Sequence, residues 1–267
     1  MTTEARTSVA KAASGIAVSA RDLWAGYDST PALEALTFDL PAGSLAGLAG
    51  PNGSGKSTLL KTLLGLLRPW RGRVELFGVP ASAARGRAGY APQADLVDWE
   101  FPVTVGDVVM MGRYGRLGLL RRPGAADREA VARALDQVGL AGLADRQGGE
   151  LSGGQQRRML IARALAQEDD LLLLDEPMAG LDATSQHDIL ALFERLRSQG
   201  KTLLVATHDL SCVAACFDLA LLLNRRLVAF GPPAEIFTPD VLSEAFAEHL
   251  LLLPTEGGVF VGHHGHG

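Results

Sequence analysis

Gly50-Pro51-Asn52-Gly53-Ser54-Gly55-Lys56-Ser57-Thr58 sets a glycine-rich turn between an apolar run and a leucine-rich segment. Such a turn is a phosphate cradle, because missing side chains let successive backbone N–H groups wrap a polyphosphate while the following helix offers its positive dipole end. In this pattern Lys56 reaches the outer phosphates of a nucleotide and the Ser57 hydroxyl ligates Mg²⁺. Ser44 to Ala49 reads as a buried strand, and Leu59, Leu60, Leu63 and Leu64 follow at helical spacing, so the context that the motif needs is present.

The 267 residues suffice for one large domain, with or without a subdomain, and 47% hydrophobic residues supply a sizeable core. The only cysteines, Cys212 and Cys216, stand one helical turn apart. Their spacing is not that of a zinc or thioredoxin-type pair, so core packing in a reducing compartment is expected. No apolar run approaches the roughly 18–20 residues that span a bilayer, and no secretory signal is read at the N-terminus, so the chain is expected to be soluble. The net charge of −5 argues against non-specific attraction to nucleic acid or anionic lipid.

Residues 1–15, rich in Ala, Thr and Ser, are expected to form a mobile tail. Ile16–Leu23 and Leu33–Leu40 read as strands around a turn containing Gly26, Asp28 and Pro31, and Arg73–Phe77 and Ala88–Ala91 as further strands. The pattern then turns helical. Thr104-Val105-Gly106-Asp107 matches a capping box, Val105, Val108 and Val109 share one face, and Val131, Leu135 and Val138 stripe a helix over Asp127–Val138. Gly115–Gly124 reads as the loop between them. Strands return at Leu171–Leu174, Leu203–Ala206 and Leu219–Leu223. Ile189, Phe193 and Leu196 mark a helix that stops at Gly200. Strands alternating with helices imply a largely parallel α/β sheet, interrupted by a helical insertion at residues 94–165.

Two stretches add chemistry. Leu171 to Leu174 is a buried strand that delivers Asp175 and Glu176 at its C-terminal end, where open parallel sheets bind ligands. Alternation along a strand turns the two carboxylates apart, so that one can serve a metal shell and the other orient a water. Ordinary strand-end acids are the competing reading, and the phosphate loop weighs against it. Leu151-Ser152-Gly153-Gly154-Gln155 precedes a helix through Met159–Ala166, so its N–H groups and the Ser152 hydroxyl form a further anion site. A merely flexible Gly-Gly turn is the alternative.

These segments resemble the nucleotide-binding subunit of ATP-binding-cassette transporters over residues 16–240. The resemblance rests on the phosphate loop, Gln93 after a strand, the signature Leu151-Ser152-Gly153-Gly154-Gln155, Asp175-Glu176, Leu181-Asp182 and Thr207-His208-Asp209, in that order. It implies a P-loop NTPase fold: a RecA-like α/β core with an antiparallel β subdomain (16–93 and 166–250), an inserted α-helical signature subdomain (94–165), and a flexible tail (251–267). It also implies ATP and Mg²⁺ as ligands. Tyr27 then stacks on adenine, Gln93 senses Mg²⁺ and the attacking water, Asp175 and Ser57 hold the metal, Glu176 is the general base, and His208 contacts the γ-phosphate. Without the other motifs, Tyr27 would read as a strand-end aromatic and His208 as a packed histidine.

The family further implies a head-to-tail pair of cassettes, this chain twice or with a similar one. Ser152, Gly153, Gly154 and Gln155 of one face the ATP held by Lys56 of the other, and Asp182 connects the two sites. Asp98-Trp99-Glu100-Phe101-Pro102 and Val108–Gly115 are similar to the ATPases of bacterial manganese, zinc and iron importers. Trp99, Phe101 and Val103 read equally as a docking groove for an integral membrane permease or as subdomain core. Met178 and Arg157 depart from that subfamily, where Phe and Gln are more usual. The resemblance implies a place on the cytoplasmic face of the membrane, with an external metal-binding protein acting through the permease and no nucleic acid partner. His263, His264 and His266 form a tail with metal-ligand chemistry, or simply a solvated one. The competing classes are a soluble cassette ATPase of the iron–sulfur assembly type, an importer of a metal chelate, a nucleic-acid machine and a silent binding module.

Overall fold

The computed structural model describes residues 15–84, 86–118, 121–246, 250–255 and 258–263. Residues 1–14 of the expected N-terminal tail, with His264 and His266, lie outside the described residues.

The chain opens as a hairpin of β1 (Ile16–Tyr27) and β2 (Thr30–Pro41). Its turn is tighter than expected: Tyr27 pairs with Thr30, and Asp28 and Ser29 both take positive φ, 45° and 68°. Mirror-image turns of this kind match the strand twist, so Gly26 and Pro31 are drawn into the strands. The buried β3 (Leu45–Ala49) leads through the phosphate-loop sequence into α1 (Lys56–Leu63). β4 (Arg71–Leu76) and β5 (Val79–Pro80) then complete a four-stranded sheet in the order β2-β1-β4-β5.

β6 (Ala88–Ala91), β7 (Leu171–Asp175), β8 (Thr202–Thr207), β9 (Leu219–Asn224) and β10 (Arg226–Gly231) join β3 in a six-stranded sheet, ordered β10-β9-β3-β8-β7-β6. All its pairings are parallel except that of β10, on the edge. β3, β7 and β8 are buried throughout, which accounts for their unbroken apolar runs: parallel strands are covered on both faces. Leu171, Leu173, Leu204 and Leu48 pack with Leu59, Leu60 and Leu63 of α1 and with the antiparallel sheet. Each such leucine contributes about 1.5–3 kcal/mol on burial. Leu172, Leu174, Leu203 and Val205 face the other way, into the helical layer.

That layer contains α2 (Val105–Met111), α3 (Tyr114–Leu117), α4 (Ala125–Gln137), α5 (Gly153–Leu165) and α6 (Ala183–Ser198). The Thr104 hydroxyl and Asp107 carboxylate form the expected capping box. Two expectations need correction here. The stretch Gly115–Gly124 is not all loop, since Tyr114–Leu117 coils and seats Leu117 in the core. Nor does α5 start after the Ser-Gly-Gly turn: Ser152 is its N-cap and Gly153 its first residue.

α7 (Leu210–Cys216) buries Leu210 and Val213, which leaves Cys212 half-buried and Cys216 exposed, so the pair is not shared core packing. Burial pushes the Cys212 thiol up to about 12. After α8 (Pro233–Ile236) and α9 (Pro239–Phe246), residues read as a flexible tail pair as a hairpin, β11 (Leu250–Thr255) with β12 (Gly258–His263). Among the described residues, no helix is long and apolar enough to cross a membrane.

Candidate active site

The strand order brings separate stretches of sequence to one edge. Ala49 of β3 lies opposite Thr207 of β8, and Ala206 of β8 opposite Asp175 of β7. The phosphate loop, Asp175-Glu176 and His208 therefore leave neighbouring strands at the same C-terminal ends, and Gln93 follows β6 one strand further out.

The glycines of the loop are explained by its walls as much as by any ligand. A Cβ on Gly50 would lie 2.0 Å from the Leu223 carbonyl oxygen, and one on Gly55 2.5 Å from that of Ala32. Gly55 also sits at φ 104°, a conformation that other residues avoid. The Arg225 N–H donates to the Ser54 carbonyl at 2.8 Å and fastens the loop to the end of β9. Pro51 is half-buried, Asn52 and Gly53 are exposed, and Thr58 is buried in α1.

Lys56 is only 9% exposed, and its ammonium donates to the carbonyls of Gly50 (2.8 Å) and Pro51 (3.1 Å). Burial lowers its pKa, against the pull of Glu176 and Asp175. Asp175 keeps the alternation of β7 and lies on the α1 side, beside the Ser57 hydroxyl. Its pKa is raised, first by burial, with Ser57 opposing. Tyr90 of β6 sits opposite Leu173, on the same sheet face as Asp175, with its phenol beside the Asp175 carboxylate. Burial and that carboxylate push Tyr90 up to about 12. The sequence does not mark Tyr90, because the β6–β7 register is what brings it to Asp175.

Glu176 leaves the strand by a backbone turn rather than by alternation, at φ 49°. That left-handed conformation costs about 1–2 kcal/mol in an L-residue. It is held by a hydrogen bond from the Glu176 N–H to Ala206 O at 3.0 Å. The turn sets Glu176 Oε2 3.0 Å from Nδ1 of His208. The Glu176 hydrogen bond is the main cause of a raised His208 pKa.

The remaining expected residues stand apart from this cluster. The Gln93 amide donates to Asp95 at 3.3 Å. Tyr27, exposed at the end of β1, has the Lys61 ammonium 5.8 Å from its ring centroid. α5 belongs to the helical layer, across the sheet from α1. There Ser152 and Gly153 are exposed, and the Ser152 hydroxyl accepts from the Gln155 N–H while Gln155 Oε1 accepts from the Ser152 N–H. A Cβ on Gly154 would lie 3.0 Å from Ser185 Oγ of α6, so the turn is tightly packed rather than flexible. Asp182 caps α6, accepting from the Ser185 N–H and hydroxyl, both at 2.9 Å, and these bonds lower its pKa.

The acceptor-rich side of the site suits a hard cation: the Ser57 hydroxyl and the Asp175 carboxylate are oxygen donors in contact with each other beside a phosphate-type loop. Among the described residues, no cluster of histidine, cysteine or carboxylate side chains forms a dedicated metal site.

A lysine-tipped loop opening a helix, beside a strand that ends in carboxylates, defines a P-loop nucleoside-triphosphatase with a helical insertion. The ABC transporter family model matches residues 33–179. The chain is 46% identical over 227 residues to the manganese transport system ATP-binding protein MntB of Bacillus subtilis (strain 168), covering 85% of this chain and 91% of that one. It is 46% identical over 234 residues to the zinc transport system ATP-binding protein TroB of Treponema pallidum (strain Nichols), covering 88% of each. A solved ABC transporter in an inward-facing conformation superposes with a TM-score of 0.77 at 33% identity, over 93% of this chain and 96% of that one. The chain belongs to the ABC transporter family, and is an ATP-binding, ATP-hydrolysing subunit.

Proposed function

We propose that this subunit hydrolyses ATP to drive uptake of a divalent metal ion (manganese, zinc or iron) through a membrane permease. The observation that carries the ATPase side is the convergence of Lys56, Ser57, Asp175, Glu176 and His208 at one sheet edge. The metal substrate is supported by the manganese- and zinc-system relatives, which match nearly end to end.

In this reading the phosphate loop from Gly50 to Thr58 binds the triphosphate, and Lys56 exchanges its carbonyl acceptors for phosphate oxygens. Ser57 and Asp175 would hold Mg²⁺, with Gln93 joining them only once it leaves Asp95, and that ion would supply charge neutralisation at the outer phosphates. Glu176 orients the attacking water and takes its proton, and His208, held by Glu176, meets the γ-phosphate. Tyr27 offers its face to adenine.

The exposed Ser152–Gly153 turn at the start of α5 completes the site from a second cassette, with Asp182 at the junction. Phe101 and Leu96, 60% and 77% exposed, with Met111 and Tyr114 present an apolar surface to the permease. Trp99 instead donates its indole N–H to Ala94 O and packs with Val103 against the helical core. Such a subunit works from the inner membrane face without entering the bilayer.

The test is co-purification with a multi-span membrane protein, followed by ATP-dependent uptake of ⁵⁴Mn or ⁶⁵Zn into vesicles. ATP hydrolysis without a permease partner would favour the soluble cassette instead. Wild-type metal uptake after deletion of this chain would remove the import reading.

A further inference from the structure

The structure gives Arg157 of α5 an unusual setting. Arg157 lies in the second turn of α5. Its side chain is 13% exposed, and its Nε is buried without a hydrogen-bond partner. A guanidinium kept in such a place with incomplete pairing adds little to stability.

Its contacts are directed at the loop between Glu176 and Asp182. Arg157 Nη2 donates to the Ala179 carbonyl at 2.5 Å, and Nη1 to the Gly153 carbonyl at 3.4 Å. The loop's own bonds are longer, Ala179 N–H to Glu176 O and Leu181 N–H to Met178 O, each 3.3 Å. The same Nη2 lies 4.0 Å from one Asp95 carboxylate oxygen, and the second oxygen of Asp95 accepts the Gln93 amide. Asp95 is exposed, so that ion pair is weak and the Ala179 bond dominates.

We propose that Arg157 is a positioning residue: by gripping Ala179 from the signature helix it holds the loop that starts at Glu176 and ends at Asp182, and so sets turnover rather than nucleotide affinity. The inference rests on the ATPase reading above. Glu176 already sits in a left-handed backbone conformation, and a loop free to relax would let its carboxylate drift from the line of water attack. None of the Arg157 contacts touches the phosphate loop, so ATP binding to the loop of a single cassette is expected to stay as it is.

The experiment compares Arg157→Gln, Arg157→Lys and Glu176→Gln in the full-length chain, by phosphate release with Mg²⁺-ATP and by titration with labelled ATP. For Arg157→Gln we expect kcat to fall about ten- to a hundredfold. KM and ATP affinity should stay within about twofold. Arg157→Lys keeps a donor for Ala179 and should show an intermediate kcat with unchanged KM, which tests the idea even if the glutamine variant does not fold. Wild-type kcat in both variants, with at most a lower melting temperature, overturns the proposal, as does a parallel loss of kcat and ATP affinity. Full turnover in Glu176→Gln would instead sink the underlying reading of the site. Loss in Glu176→Gln with none at Arg157 sinks only the positioning role.

Discussion

Nδ1 of His208 and Oε2 of Glu176 lie 3.0 Å apart, although the residues come from different strands and neither is near the other in sequence. The contact holds the carboxylate and the imidazole as one unit at the mouth of the phosphate loop. Glu176→Gln should retain ATP binding and lose about 10²- to 10⁴-fold in turnover, the usual range for a positioned base. Single-turnover phosphate release and an ATP titration check both halves.

The same contact has a pH signature. His208 titrates above its ordinary 6.5 because Glu176 favours the imidazolium. A raised folded-state pKa means the stabilisation is complete below 6.5 and disappears as the pH rises through the folded value. His208 is 56% exposed, so solvent screening keeps its effect on stability small. NMR titration of the His208 ring should give a pKa above 6.5 that drops in Glu176→Gln. An unmoved value would deny the coupling.

Lys56 and its neighbour Gly55 should separate binding from folding. Lys56→Ala removes the cation proposed above to meet phosphate and should weaken ATP binding about 10- to 100-fold with little change in stability. Gly55→Ala forces a Cβ toward the Ala32 carbonyl at a strained φ, and should lower stability by about 1–3 kcal/mol along with affinity. Urea denaturation beside an ATP titration distinguishes the two.

Asp169 carries a second pH dependence. Burial raises it to about 6, despite Arg116 at 3.2 Å, and its Oδ2 has no hydrogen-bond partner. Because the folded state prefers the protonated acid, its contribution is complete below 3.8 and is lost as the pH rises through about 6. Asp169→Asn should flatten the fall in urea midpoint between those values. An unchanged pH profile would contradict this.

Arg113 ties the helical insertion to the core. Its buried guanidinium bonds Asp127 (3.0 Å), Glu168 (2.8 Å) and Ala166 O (2.7 Å), joining the start of α4 to the end of α5. Arg113→Met leaves those acceptors without their cation and should cost about 3 kcal/mol by chemical denaturation. Arg113→Lys should recover only part, for want of the planar fork. A loss below about 1 kcal/mol would make the network dispensable.

Much of the fold was legible because its signals are local. Leucines in α1, the valines of α2, the Thr104–Asp107 cap and the buried run before Asp175 each follow from periods or caps that act within a few residues. Where the reading slipped, the cause was also local: Tyr114–Leu117 is too short to show a period, and the Ser152 cap looks like a loop until Gln155 closes it. Tyr90, Ser185 and the Asp95–Arg157 link escaped notice because they matter only through partners distant in sequence.

From residue order alone came the glycine-rich turn between β3 and α1, the buried strand that ends in Asp175 and the run of helices between β6 and β7, since backbone propensity and hydrophobic period are written into neighbouring residues. Which strands lie side by side is a different matter. β8 falls between β3 and β7, all three buried throughout, and this pairing is what carries His208 to Glu176. Packing also gives Gly50 and Gly55 their reason: the backbones of Leu223 and Ala32, remote in the chain, occupy the space that side chains would need.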